Sequence, residues 1–176
     1  MKKNSNTYLF TGGGRSGKSR YALELAGASK SPFFIATGWN GDDEMKKRIF
    51  RHRAERGNKW TTIEEQIKIT DAVNSANSNG ADFIIVDCIG SWITNLMVKE
   101  NLTDITNHKE VLNFIEAIPN CSVPLVIVTN EVGMGIIPND TMTRAFRDNL
   151  GFVNQKIAGV VSHVILMVCG LPMEMK

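Results

Sequence analysis

Gly12-Gly13-Gly14-Arg15-Ser16-Gly17-Lys18-Ser19 lies near the start of the chain and fits the phosphate-binding pattern G-x-x-x-x-G-K-[S/T] without a mismatch. Its flanks decide the reading. Thr7-Tyr8-Leu9-Phe10-Thr11 before it is short, aromatic and β-branched, and reads as a strand. Arg20-Tyr21-Ala22-Leu23-Glu24-Leu25-Ala26 behind it reads as a helix. A strand feeding a glycine loop that opens a helix is the geometry phosphate binding needs. The glycines let consecutive backbone N–H groups turn toward one anion, and the helix N-terminus adds its partial positive charge. Lys18 can then reach the β- and γ-phosphates while the Ser19 hydroxyl ligates Mg²⁺. The alternative, a glycine-rich turn that matches by chance, does not account for both flanks.

Outward from this loop, strands and helices alternate. Pro32-Phe33-Phe34-Ile35-Ala36 reads as a second strand ending at Thr37-Gly38, and Trp60-Thr61-Thr62-Ile63-Glu64 as an extended segment. Helices are expected over 67–76, 91–99 and 106–118, with loop at Asn77-Ser78-Asn79-Gly80. Phe83-Ile84-Ile85-Val86 and Val123-Pro124-Leu125-Val126-Ile127-Val128 are apolar runs typical of strands buried on both faces. Met142, Phe146, Leu150, Val153 and Ile157 recur at three- and four-residue spacing and mark a long amphipathic helix. Val164-Ile165-Leu166-Met167-Val168 is expected to close the sheet. This alternation predicts a single α/β domain over 1–176, a phosphate-loop type of mostly parallel sheet covered by helices.

Composition sets the class. The 176 residues, 43% hydrophobic and 22% charged, suit one soluble globular domain. No run of about 18 apolar residues offers a membrane span, and Met1-Lys2-Lys3-Asn4-Ser5-Asn6 lacks the apolar stretch of a signal peptide. Cys88, Cys121 and Cys169 are too few and too scattered for a disulfide framework or a zinc site, and fit a reducing cytoplasm. Residues 1–59 hold 13 Lys and Arg against 5 Asp and Glu, a net +8, whereas the remainder holds 7 against 13, a net −6. The basic excess accompanies the phosphate loop, as expected of a half that handles polyanionic nucleotides. Without interleaved aromatics it does not make a stacking platform, so no nucleic-acid partner is expected.

In parallel sheets ligands gather at the carboxyl ends of the strands. Besides the phosphate loop, three such ends stand out. Asp87 follows the 83–86 run, where a phosphate-loop protein places the acid that holds Mg²⁺; it could instead cap the helix near Ser91. Thr37-Gly38 allows close backbone approach to a ligand, or is a plain turn. Thr129-Asn130-Glu131, followed by Val132-Gly133-Met134-Gly135, is either a ligand-facing segment or an ordinary turn. In the first case Glu131 could orient Mg²⁺ or accept a proton from a substrate hydroxyl.

The run from Asp42 to Arg56 leads with acids and follows with bases, which suits a helix dipole. At 3.6 residues per turn Met45, Ile49 and His52 share a face, with Arg48 and Arg56 at its edges. His52 could simply pack beside Met45 and Ile49. Alternatively, cations around an imidazole favour its neutral, nucleophilic form, and guanidiniums suit the clamping of phosphate oxygens.

Beyond the phosphate loop, an ordered series of motifs runs through the chain. It comprises Ile35-Ala36-Thr37, Asp43-Glu44-Met45, Arg48-Ile49, His52-Arg53, Trp60-Thr61-Thr62-Ile63-Glu64, Val86-Asp87-Cys88, Thr94-Asn95-Leu96 and Val128-Thr129-Asn130-Glu131-Val132-Gly133-Met134-Gly135-Ile136-Ile137-Pro138. Phe146-Arg147-Asp148, Gly151 and Asn154-Gln155 continue it. Together these resemble the bifunctional adenosylcobinamide kinase/adenosylcobinamide-phosphate guanylyltransferase family of cobalamin biosynthesis. The resemblance implies a two-step enzyme that uses ATP or GTP and Mg²⁺. The aminopropanol hydroxyl of adenosylcobinamide is phosphorylated first. GMP from GTP then passes through a histidine to adenosylcobinamide phosphate, giving adenosylcobinamide-GDP. By resemblance the guanylylated histidine is His52, and Arg53, Arg56 and Glu64 contact the nucleotide, as do Gly12 to Ser19, Ala36, Thr37, Gly38 and Asp87. Lys18 joins His52 as catalytic, Ser19 and Asp87 hold Mg²⁺, and Arg48, Asn130 and Glu131 are substrate or supporting candidates. The family also implies a trimer. The chain departs from the pattern at Gly57, where a proline is common, and at Cys88-Ile89-Gly90-Ser91. Two rivals remain: a single-activity phosphate-loop kinase of another small alcohol or nucleoside, and a nucleotide-dependent regulator without covalent chemistry.

Overall fold

The computed structural model describes residues 6–38 and 57–176. Seven strands form one sheet: β1 (Thr7–Thr11), β2 (Pro32–Ala36), β3 (Thr61–Glu64), β4 (Phe83–Asp87), β5 (Leu125–Val128), β6 (His163–Val168) and β7 (Leu171–Glu174). Their order is β3-β2-β4-β5-β1-β6-β7. Every neighbouring pair is parallel except β6 with β7. The described helices are α1 (Lys18–Leu25), α2 (Ile69–Ser78), α3 (Ile89–Glu100), α4 (Lys109–Ala117) and α5 (Thr141–Val160), with a 3₁₀ turn at Ile118–Asn120.

Period-two alternation along the strands builds two cores. Leu9, Phe33, Ile35, Ile84, Val86, Leu125 and Ile127 face one way, toward the apolar stripes of α2 to α5. Phe10, Phe34, Phe83, Ile85, Val126 and Val128 face the other way, where Ala22 and Ala26 of α1 pack on them. Both faces of the inner strands are covered, which is why their sequences are unbroken apolar runs. The helix after β1 and the helix after β5 thus lie on opposite faces although the two strands are neighbours. In open α/β sheets such a divergence of neighbouring connections marks the ligand-binding end, at the carboxyl edge of the strands.

The predicted elements are found with shifted ends. Helix α2 runs on through Asn77 and Ser78, which were expected as loop, because Ala76 is still buried against the core and holds the last turn. The sheet does not end at β6. Cys169 and Gly170 turn the chain back with φ of 52° and 82°, the positive pair that a tight hairpin of primed type requires. Leu171-Pro172-Met173-Glu174 then adds an antiparallel edge strand. Pro172 is tolerated there because an edge strand leaves one row of N–H groups unpaired. The charged segment 42–56 lies outside the described residues.

Candidate functional site

The phosphate loop turns tightly enough to need its glycines. Gly12 has φ 142°, and a Cβ there would stand 2.4 Å from the Met167 carbonyl oxygen, a backbone atom that cannot yield. Gly17, at φ 95°, forms the N-cap of α1, whose first-turn N–H groups have no acceptor within the helix. Lys18 is 6% exposed. Its Nζ donates to Gly12 O at 2.9 Å, Gly13 O at 2.6 Å and Ser16 Oγ at 3.3 Å. These acceptors offset the cost of burying an ammonium and hold the charge inside the loop. Gly13, Gly14 and Arg15 are exposed on the loop's outer turn, and Ser19 is half-buried in the first turn of α1.

One register row crosses the whole sheet near its carboxyl edge. Glu64 pairs with Ala36, Ala36 with Asp87, Asp87 with Val128, and Val128 with Phe10, two residues before the loop. Side chains in a row share a face, so Glu64 and Asp87 lie on the face that carries α1. The structure therefore places Ala36, Asp87 and the phosphate loop along one edge of the sheet, with Glu64 on the same face but at the outermost strand β3, four strands from β1 and its loop.

Asp87 does not cap the following helix: the N-cap of α3 is Cys88, with no side-chain hydrogen bond. Asp87 Oδ2 is buried and has no hydrogen-bond partner among the described residues. An orphaned carboxylate oxygen at this end is suited to a hard cation, so the donor chemistry fits Mg²⁺. Among the described residues no three His, Cys, Asp or Glu side chains gather as a metal cluster. A magnesium ion here would thus be shared between Ser19, Asp87 and the phosphates of a nucleotide.

Thr37 is fully buried and its polar atoms are committed to protein. Its N–H donates to Asp87 O at 3.1 Å, and its hydroxyl donates to Cys88 O at 2.7 Å while accepting from Cys88 N at 2.8 Å. Asn95 Nδ2 on α3 donates to Thr37 O and Gln66 O at 2.8 and 3.2 Å. Thr37 thus fastens the end of β2 to the end of β4, and Gly38 follows it at the limit of the described segment.

The 129–131 segment is laced to the phosphate loop. Thr129 N donates to Phe10 O at 2.9 Å and Glu131 N to Gly12 O at 3.0 Å. Asn154 on α5 accepts from Thr129 Oγ1 at 2.7 Å and donates to Asn130 O at 3.1 Å. Glu131 Oε1 accepts from Gly133 N at 2.6 Å, which tightens the loop that follows. The roles of Asn95, Thr129 and Asn154 escaped sequence reasoning. An asparagine on a helix otherwise facing the core is the signal that could have marked the first and last. Arg48, His52, Arg53 and Arg56 lie outside the described residues.

Solved structures with this arrangement share the fold alone. An ATPase of the type III secretion system of pathogenic bacteria superposes with TM-score 0.54 at 9% identity over 92% of this chain, which spans about half (51%) of that ATPase chain. The RadB recombinase superposes with TM-score 0.50 at 12% identity, covering 93% of this chain and 74% of its own. Sequence relatives reach further. The bifunctional adenosylcobalamin biosynthesis protein CobU of Escherichia coli is 36% identical across 96% of this chain and 98% of its own length. CobP of Pseudomonas aeruginosa, which carries the same descriptive name, is 36% identical across 96% of both. CobU of Salmonella typhimurium is 37% identical across 96% and 98%. Residues 8–175 match the model of one family, and the chain belongs to it: the cobinamide kinase/cobinamide phosphate guanyltransferase family.

Proposed function

We propose that this chain phosphorylates the aminopropanol hydroxyl of adenosylcobinamide and then guanylylates the product. The carrying observation is the convergence of the Lys18 phosphate loop, the orphaned Asp87 oxygen and the Glu131 segment at one sheet edge. In the first step Lys18 exchanges its loop carbonyls for β- and γ-phosphate oxygens and steadies the charge on the transferring group. The acceptor hydroxyl forms the new P–O bond as the bond to the β-phosphate breaks, and its proton passes to the carboxylate of Glu131, the base in this reading. Ser19 and Asp87 would hold a magnesium ion, which when bound would supply charge neutralisation to the phosphates. Beyond Glu131, the exposed side chains of Val132, Met134, Ile136 and Ile137 suit the apolar parts of a bulky acceptor beside the phosphates.

In the second step a neutral His52 imidazole attacks the α-phosphorus of GTP. A P–N bond forms, the α–β anhydride breaks, and pyrophosphate leaves. A phosphate oxygen of adenosylcobinamide phosphate then displaces the imidazole. Arg53, Arg56 and Glu64 serve nucleotide binding in this reading, with Arg48 in a supporting place. The test is incubation with α-labelled GTP and Mg²⁺, followed by denaturation and peptide mapping. Label on His52, labile in acid and stable in alkali, is expected. His52→Ala should lose it while keeping most of the kinase step. Lys18→Ala should lose kinase activity by roughly 10²-fold or more while remaining folded. Absence of any bound label indicates the single-activity kinase, and slow hydrolysis without transfer indicates a regulator.

A further inference from the structure

The phosphate loop is backed by the far end of the chain. At the hairpin between β6 and β7, the Gly170 N–H donates to Ser16 O at 3.0 Å. A Cβ on Gly12 would strike the Met167 carbonyl oxygen at 2.4 Å, and one on Gly17 would meet Gly170 Cα at 3.2 Å. Three loop residues therefore close on this corner of the sheet. Cys169 and Gly170 hold positive φ there, so the hairpin is tight and presents its N–H in a fixed direction.

A trans peptide points its C=O and N–H in opposite directions. With the Ser16 carbonyl gripped by Gly170, the Gly17 N–H of the same peptide unit faces away from the hairpin. Gly17 caps α1, so that N–H belongs to the group of donors available to an anion at the helix N-terminus. We propose that the Cys169–Gly170 turn is a positioning element for the nucleotide. By holding the Ser16–Gly17 peptide, it aims one anion-binding N–H of the phosphate loop before any ligand arrives. The inference rests on the assignment of residues 12–19 as the nucleotide site. It explains why a hairpin some 150 residues downstream contacts a loop whose own sequence pattern does not mention it.

Cys169 provides a ligation point for the test. Joining residues 1–168 to a synthetic 169–176 peptide allows Gly170→glycolic acid, an ester that deletes the single N–H and leaves the chain otherwise intact. Binding of a fluorescent ATP analogue is measured well below the melting temperature, where affinity of the folded protein is insensitive to global stability. Relative to the all-amide ligated protein, the ester should bind about 2- to 10-fold more weakly, the range set by one hydrogen bond. By ordinary mutagenesis, Gly170→Val, disfavoured at positive φ, should raise the kinase KM for nucleotide roughly 10-fold or more with a smaller change in kcat. Gly170→Asn tolerates that conformation and should restore KM to within about 2-fold. Folded ester and Gly170→Val proteins that bind nucleotide as the unaltered chain does would overturn the proposal. Unchanged nucleotide binding in Lys18→Ala would instead overturn the site assignment on which it stands.

Discussion

At the residue scale, Asp87 shows how burial separates two roles that sequence leaves open. A capping aspartate would give its oxygens to the first N–H groups of α3, but Cys88 holds that position and one carboxylate oxygen of Asp87 is buried with no partner among the described residues. Leaving such an acceptor dry costs on the order of 1–3 kcal/mol, which a bound cation would offset. Asp87→Asn removes the charge and one oxygen donor, so Mg²⁺ affinity and the kinase rate should fall together, and saturating Mg²⁺ should recover part of the rate. A titration of activity against Mg²⁺ decides the matter: an unchanged half-saturation point means that Asp87 has no part in metal binding. Thr37 teaches the converse. Its place at a strand end made it a nucleotide candidate, yet its side chain and both backbone groups serve Cys88, Asp87 and Asn95. A direct contact with a nucleotide would have to share or replace one of these bonds.

At the element scale, the entry to α2 depends on a carboxylate before the helix. Glu65 Oε1 accepts from Ile67 N at 2.8 Å and Lys68 N at 2.9 Å, while its own N–H reaches Ala36 O at 3.0 Å. Partial burial raises its pKa, but the backbone N–H groups of Ile67, Lys68 and Gln66 outweigh this and hold it below the ordinary glutamate value of 4.5. A depressed carboxylate contributes stability that is present above the unfolded value and is lost as pH falls through the folded one. Glu65→Gln should therefore destabilise the protein near neutral pH, by less than about 1 kcal/mol because solvent screens a partly exposed carboxylate. The gap between the two proteins should close below pH 4.5. Denaturant midpoints at several pH values measure it, and a gap independent of pH would show that the charge is irrelevant.

At the scale of the whole molecule, Trp92 joins the parts. Fully buried, it donates from Nε1 to Ile67 O at 2.7 Å and packs edge-on against Phe114 at 5.5 Å between ring centres. It therefore ties α3 to α4 and to the β3–α2 connection. Trp92→Ala should cost about 3–5 kcal/mol and lower the melting temperature by on the order of 10 °C, read by calorimetry. The opposite edge of the molecule is open: Val168, Leu171, Met173 and Met175 are exposed along β6 and β7. The homo-oligomer that the family resemblance implies would cover such an edge. Sedimentation should show more than one copy, and Met173→Glu should shift the distribution toward the monomer; a chain that sediments as a monomer at all concentrations excludes this assembly.

The order of strands and helices was legible in the chain because a strand buried on both faces must be apolar throughout and a surface helix must carry a stripe. The phosphate loop was legible because only glycine accepts the φ values at Gly12 and Gly17. For His52, which lies outside the described residues, a family resemblance in the sequence is the ground of the proposed role. What tertiary structure decided are the juxtapositions between distant parts of the chain: Asp87 in one row with Phe10, Glu131 N on Gly12 O, Asn154 under Thr129, and Gly170 behind Ser16. Sheet order and register set these contacts, and backbone hydrogen bonds carry much of the linkage. Backbone groups are the same whatever the side chain, so such contacts leave almost no trace in the residue types that make them.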